Sequence, residues 1–200
     1  GSTRLAKLGW NATDFLINQL KTAPDLGPFT EELSRGIIRF AAANERNFIG
    51  SSRADLIIGS DGADTIRSSD GNDIIFGKSG NDVVDGGNGN DYIDGGQGND
   101  TITDYSGFNT IKGGDGDDII SASGIIEGGK GDDVINSNNF WVGDIYIFNL
   151  GDGKDTISDY GASNALGYSE TGLVDTLKFG EGIEASAVTL TRSGNSLIFK

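Results

Sequence analysis

Aspartate recurs at one interval through the middle of this chain. Asp55, Asp64, Asp73, Asp82, Asp91 and Asp100 stand nine residues apart, Asn109 holds the next place, and Asp118 and Asp133 complete the series. Carboxylates in such numbers do one of two things: a pair can share acid and base work, as in glycoside hydrolysis, or many can offer hard oxygen ligands to cations. A dyad needs two carboxyl groups rather than a series at fixed spacing, so ligation explains the pattern better. The chain contains no His and no Cys, which removes imidazole and thiolate nucleophiles, nitrogen- or sulfur-based zinc sites, and disulfides. The nearest thing to a nucleophile elbow, Gly167-Tyr168-Ser169-Glu170-Thr171, lacks the closing Gly and any His to serve it. The chain is therefore expected not to be an enzyme.

Charge points the same way. Of a formal net charge of −15, −12 falls on residues 50–136, with +1 on residues 1–49 and −4 on residues 137–200. Such acidity repels nucleic acid and anionic membrane surfaces, so neither is expected as a partner and cations are. No stretch approaches the ~18 apolar residues of a membrane helix, and none is expected to insert. Gly1-Ser2 has the look of a cleavage scar, and the chain reads as an excised fragment.

The elements that must position the aspartates follow from the period itself. From Gly50 the sequence divides into nonamers such as GKSGNDVVD, GGNGNDYID and GGQGNDTIT, residues 77–103, broken by one six-residue unit, ASGIIE, before GGKGDDVIN ends at Asn136. Six residues rich in Gly, Asn and Asp favour tight turning, and the three that follow make a minimal strand. The eighth position is always β-branched and aliphatic: Ile57, Ile66, Ile75, Val84, Ile93, Ile102, Ile111, Ile120, Ile126 and Ile135. One three-residue strand cannot bury its side chain, so copies must stack, two units to a rung, in a flattened parallel solenoid. Sixth-position carboxylates then lie above one another along each edge and repel unless something sits between them. Carboxylates and turn carbonyls, with neither nitrogen nor sulfur ligands to hand, select Ca²⁺ over the geometrically stricter Mg²⁺.

The nonamers resemble the GGxGxDxUx repeat of RTX proteins. Gly86 to Asp94, Gly95 to Thr103, Gly113 to Ser121 and Gly128 to Asn136 fit it in full, and residues 146–161 and 175–183 are similar to segments that follow such repeats. The resemblance implies a mainly β fold, a right-handed parallel β-roll, with calcium held between consecutive turns of one edge by sixth-position Asp and backbone carbonyls. It also implies export through type I secretion machinery, a secreted or cell-surface location, and a place within a larger toxin, adhesin or exoenzyme.

Alternating the units between two edges gives six expected ions. One edge offers Asp64/Asp82, Asp82/Asp100, Asp100/Asp118 and Asp118/Asp133; the other offers Asp55/Asp73 and Asp73/Asp91. Asp91/Asn109 would be a seventh, with an amide oxygen but no charge, and Asp155 in GDGKDTI marks a further site near Asp152. Arg53, standing where Gly is wanted, is expected to weaken the first turn. The chain thus divides into a helical N-terminal flank over residues 1–49, a calcium-binding roll over 50–136 and a β cap over 137–200. In the flank, one helix is expected around Thr13 to Lys21 and another from Thr30 with Leu33, Ile37 and Phe40 on one stripe, covering an outward apolar group that includes Leu56, Ile58, Ile74, Phe76 and Tyr92. In the cap, Phe140, Trp141, Tyr146, Phe148, Tyr160 and Phe179 are expected to fill a core. The function so read is a calcium-dependent folding module. The competing reading is a glycan- or peptide-binding module of an adhesin, using the cap or the outward face of the roll.

Overall fold

The computed structural model describes residues 38–40, 46–137, 143–159, 175–183, 190–193 and 196–199. The protein is mainly β, and no helix occurs among the described residues. Its strands are β1 (Ile38–Phe40), β2 (Asn47–Ile49), β3 (Leu56–Ile58), β4 (Thr65–Arg67), β5 (Ile74–Ser79), β6 (Val83–Asp85), β7 (Tyr92–Gln97), β8 (Thr101–Asp115), β9 (Ile119–Lys130), β10 (Val134–Ser137), β11 (Ile145–Phe148), β12 (Thr156–Asp159), β13 (Thr176–Phe179), β14 (Leu190–Ser193) and β15 (Ser196–Phe199). Pairing is parallel throughout, except where β15 runs antiparallel to β12 and to β14.

Two stacks result, as the repeat requires. One runs β1, β3, β5, β7, the second halves of β8 and β9, then β11 and β13. The other runs β2, β4, β6, the first halves of β8 and β9, then β10 and β12. Register steps by 18 residues, so Ile57 lies beside Ile75, Ile75 beside Ile93 and Ile93 beside Ile111. The eighth-position side chains from both stacks make one core, from Phe48 to Ile157, each 7% exposed or less. Burying each aliphatic in this ladder contributes roughly 1.5–3 kcal/mol, which offsets only part of the ordering cost of a Gly-rich chain.

The roll is longer than the recognisable repeats. Phe48 occupies the ladder one unit before Ile57, and β1 pairs with Leu56–Ile58, so Phe40 lies in a strand and not on a helical stripe. The physical reason is that β3 would otherwise present an open parallel edge, and residues 18 positions upstream are in phase to cover it. The helix expected around Thr13 to Lys21 and the start of the second lie outside the described residues. Beyond Asn136, β11 and β12 add further parallel rungs, with Tyr146 and Ile157 in the ladder, and the β14–β15 hairpin closes one stack. Phe179 does not fill a core: it is 36% exposed and meets Phe148 edge-on, ring centroids 6.4 Å apart. Phe140, Trp141 and Tyr160 lie outside the described residues.

Of the outward apolar group, Leu56, Ile74 and Tyr92 are 0%, 0% and 3% exposed, while Ile58 and Phe76 are half-buried. Phe76 packs on Tyr92 at 5.8 Å, and the Lys112 ammonium lies 5.7 Å from the Tyr92 ring centre.

Candidate metal centres

Each aspartate in the sixth position immediately precedes a strand, and stacking brings these residues into two columns. On the first edge, the Asp55 N–H donates to Asp73 Oδ1 at 2.7 Å, Asp73 N–H to Asp91 Oδ1 at 2.8 Å and Asp91 N–H to Asn109 Oδ1 at 2.9 Å. On the second, Asp64 donates to Asp82, Asp82 to Asp100, Asp100 to Asp118 and Asp118 to Asp133, all at 2.7–2.8 Å, and Asp133 donates to Asp155 at 3.1 Å. All ten residues expected at sites are thereby brought into line, and all are buried.

These bonds use only one oxygen of each carboxylate. The Oδ2 atoms of Asp73, Asp82, Asp91, Asp100, Asp118 and Asp133 are buried with no hydrogen-bond partner. Leaving a buried acceptor unmade costs about 1–3 kcal/mol, and more when it is charged. On the second edge the orphans of Asp82, Asp100 and Asp118 sit beside a carbonyl of the next rung. A Cβ placed on Gly77, Gly95 or Gly113 would collide both with the Oδ2 of that unit's own aspartate and with, in turn, the Gly95, Gly113 or Gly128 carbonyl. This cradle is all oxygen, and it fits a hard cation such as calcium. Burial pushes the carboxyls up from 3.8, Asp82, Asp91, Asp100 and Asp133 to about 6 and Asp73, Asp118 and Asp155 to about 7.

The column starts are built differently. Asp55 Oδ2 accepts the Ser51 N–H at 2.5 Å, and Asp64 Oδ2 accepts the Ser60 N–H at 2.6 Å and its hydroxyl at 2.9 Å. In the following turns Ser69, Lys78, Gly87 and Gly96 occupy that second position at φ of 84°, 84°, 90° and 110°. Their aspartates are the orphans. Arg53 is not among the residues at positive φ, consistent with its turn departing from the repeat.

Several acidic residues outside the sequence expectation also line the columns. Asp144 and Asp175 extend the first edge: Gly124 N–H donates to Asp144 Oδ1 at 2.7 Å and Asp144 N–H to Asp175 Oδ1 at 3.0 Å. With Asp159 they place three carboxylate oxygens within 4.8 Å of one another. Asp144 also accepts from the Ser137 hydroxyl at 2.6 Å, and Asp159 from the Tyr146 hydroxyl at 2.6 Å. Burial raises the Asp144 and Asp175 carboxyls. The signal was present in sequence, since each stands directly before a short apolar strand, but spacings of 20 and 31 residues hide the period. Asp152 is buried, accepting the Asn149 N–H.

With stacked carboxylates, orphan oxygens and facing carbonyls established, comparison with known families is decisive. Four copies of the RTX calcium-binding nonapeptide repeat match residues 49–84, 68–102, 94–124 and 125–139. Residues 49–139 are an RTX repeat array. No curated protein matches the chain. The RTX array is a calcium-binding β-roll, and its roll extends on both sides of the matched residues, through β1, β2 and β11 to β13. No helix among the described residues is long and apolar enough to cross a membrane.

Proposed function

We propose that this β-roll is a calcium-dependent folding module of a larger exported bacterial protein, with Asp55, Asp64, Asp73, Asp82, Asp91, Asp100, Asn109, Asp118, Asp133 and Asp155 lining its ion sites. The observation that carries the reading is the set of buried, unpartnered Oδ2 atoms in both columns. Where calcium is scarce, as in a bacterial cytoplasm, the repelling columns and the entropy of a Gly-rich chain favour an open state suited to type I export. Where calcium is plentiful outside the cell, binding and folding occur together. Calcium supplies the positive charge and the oxygen-seeking coordination that the columns lack; the chain supplies register, through the N–H to Oδ1 ladder. Far-UV circular dichroism during a calcium titration, with magnesium as control, tests this. A cooperative rise in β signal with calcium alone is expected, and a full β signal in metal-free buffer at neutral pH would overturn it.

A further inference from the structure

Asp104 departs from the repeat. It stands in the first position of the unit DYSGFNTIK, where the four full repeats carry Gly, and the same unit has Asn109 instead of Asp in the sixth position. Asp104 is nonetheless 1% exposed, and its Oδ2 has no hydrogen-bond partner. One rung away, Asp91 is 0% exposed with its Oδ2 equally unpartnered.

The two orphan oxygens face the same space. A Cβ on Gly86 would collide with Asp104 Oδ2 and lie 3.0 Å from Asp91 Oδ2, so only the bare glycine allows both to approach. Asn109 cannot supply a charge here, and its amide is already committed: Oδ1 accepts the Asp91 N–H, and Nδ2 donates to the Asp104 carbonyl at 3.2 Å. That second bond fixes the Asp104 backbone while its side chain turns inward.

We propose that the rung interval between Asp91 and Asn109 is completed as a calcium site by Asp104, whose carboxylate faces Asp91 and supplies the charge that Asn109 lacks. The inference rests on the calcium reading of the columns and adds a donor that the nonapeptide pattern does not contain. Two carboxylate oxygens on one rung interval, both shut off from water, repel strongly at low effective dielectric unless one is protonated, and once both are ionised a hard divalent cation is the complementary ligand. The first edge then keeps an unbroken run of sites from Asp55 to Asn109, although its sixth-position series fails at the last step.

Calorimetric calcium titration of the metal-stripped full chain, beside Asp104→Asn and Asp100→Asn, tests the assignment. Asp104→Asn is expected to bind one ion fewer than wild type while its calcium-loaded circular dichroism stays unchanged. An Asp104→Asn variant with the wild-type stoichiometry and midpoint would overturn the site, leaving the calcium reading of the columns intact. If wild type itself binds no calcium, the reading beneath it fails as well. Should Asp104→Asn not fold, anomalous diffraction from calcium-loaded wild-type crystals decides. A peak at ~2.3–2.6 Å from both Oδ2 atoms supports the site, and peaks confined to the other column positions exclude it.

Discussion

Arg46 occupies the rung above Asp64 in the second column, its guanidinium 3.4 Å from the Asp64 carboxylate. Its carbonyl accepts the Thr65 N–H, as the Asp55 carbonyl accepts that of Ile74 one unit later. Arg46 therefore sits in the sixth-position slot, and a fixed cation terminates a column of anions. The side chain also reaches the Ser60 hydroxyl and the Gly62 carbonyl. Where there is no further aspartate, the chain supplies its own positive charge.

Arg46→Gln should destabilise the roll by about 1 kcal/mol, because the Arg46 side chain is 49% exposed and solvent screens the pair. The loss should shrink at high salt. Thermal melts in calcium at low and high ionic strength check this; an unchanged melting temperature at low salt would remove Arg46 from the role of column cap.

Substitutions in the columns should separate structure from ion binding. Asp100→Ala deprives the Asp82 N–H of its acceptor and removes an orphan oxygen, so the calcium midpoint for folding should rise about tenfold or more, equivalent to ~1.4 kcal/mol. Asn109→Ala deprives the Asp91 N–H of its acceptor but removes no charge, and should shift the midpoint less. Midpoints from parallel calcium titrations decide, and equal shifts would contradict the account.

The raised carboxyls fix a pH dependence. Asp73, Asp82, Asp100, Asp118 and Asp133 go from 3.8 to about 6 or 7 on folding without metal, chiefly through burial. Between those values the folded state binds more protons than the unfolded one, so stability falls as pH rises. The metal-free roll should be most stable near pH 4 and lose stability progressively through pH 6 to 7. Calcium should reverse the trend, since its ligands must be ionised. Denaturant melts from pH 4 to 8 with and without calcium measure both slopes, and a metal-free protein that gains stability towards pH 8 would refute the burial argument.

Much of this was legible in sequence because the period is physical. The eighth-position aliphatics from Ile57 to Ile135 announced the ladder, and the sixth-position series announced both columns. What escaped notice had lost its local signature. Residues 41–49, AAANERNFI, contain no turn glycine, yet Phe48 fills the ladder because stacking on the next rung fixes its place. Asp104 stands where the full repeats carry Gly, and only the stacked geometry brings its side chain toward Asp91. Serines 51 and 60 satisfy the first aspartate of each column with both N–H and hydroxyl, and the N–H bonds depend on a backbone conformation that residue type alone does not specify.

Glycine positions should divide by their surroundings. Gly89 has φ of +143°, and a Cβ there would collide with the Gly71 carbonyl of the neighbouring rung, so Gly89→Ala should cost at least ~2 kcal/mol. Gly151, at φ of +98° with nothing within 4 Å of the added carbon, should lose only about 1 kcal/mol on the same change. Chemical denaturation in calcium compares them; equal losses would mean that rung spacing does not constrain the turns.

The central claim is that calcium-filled columns hold the roll together, and small-angle X-ray scattering of one sample before and after adding calcium tests it most directly. In metal-free buffer at neutral pH the radius of gyration should approach the roughly 48 Å of an unfolded chain of this length, contracting on calcium addition to less than about half of that. A radius already compact without metal, and unchanged by calcium, would contradict the account and leave the aliphatic ladder as the sufficient cause of folding.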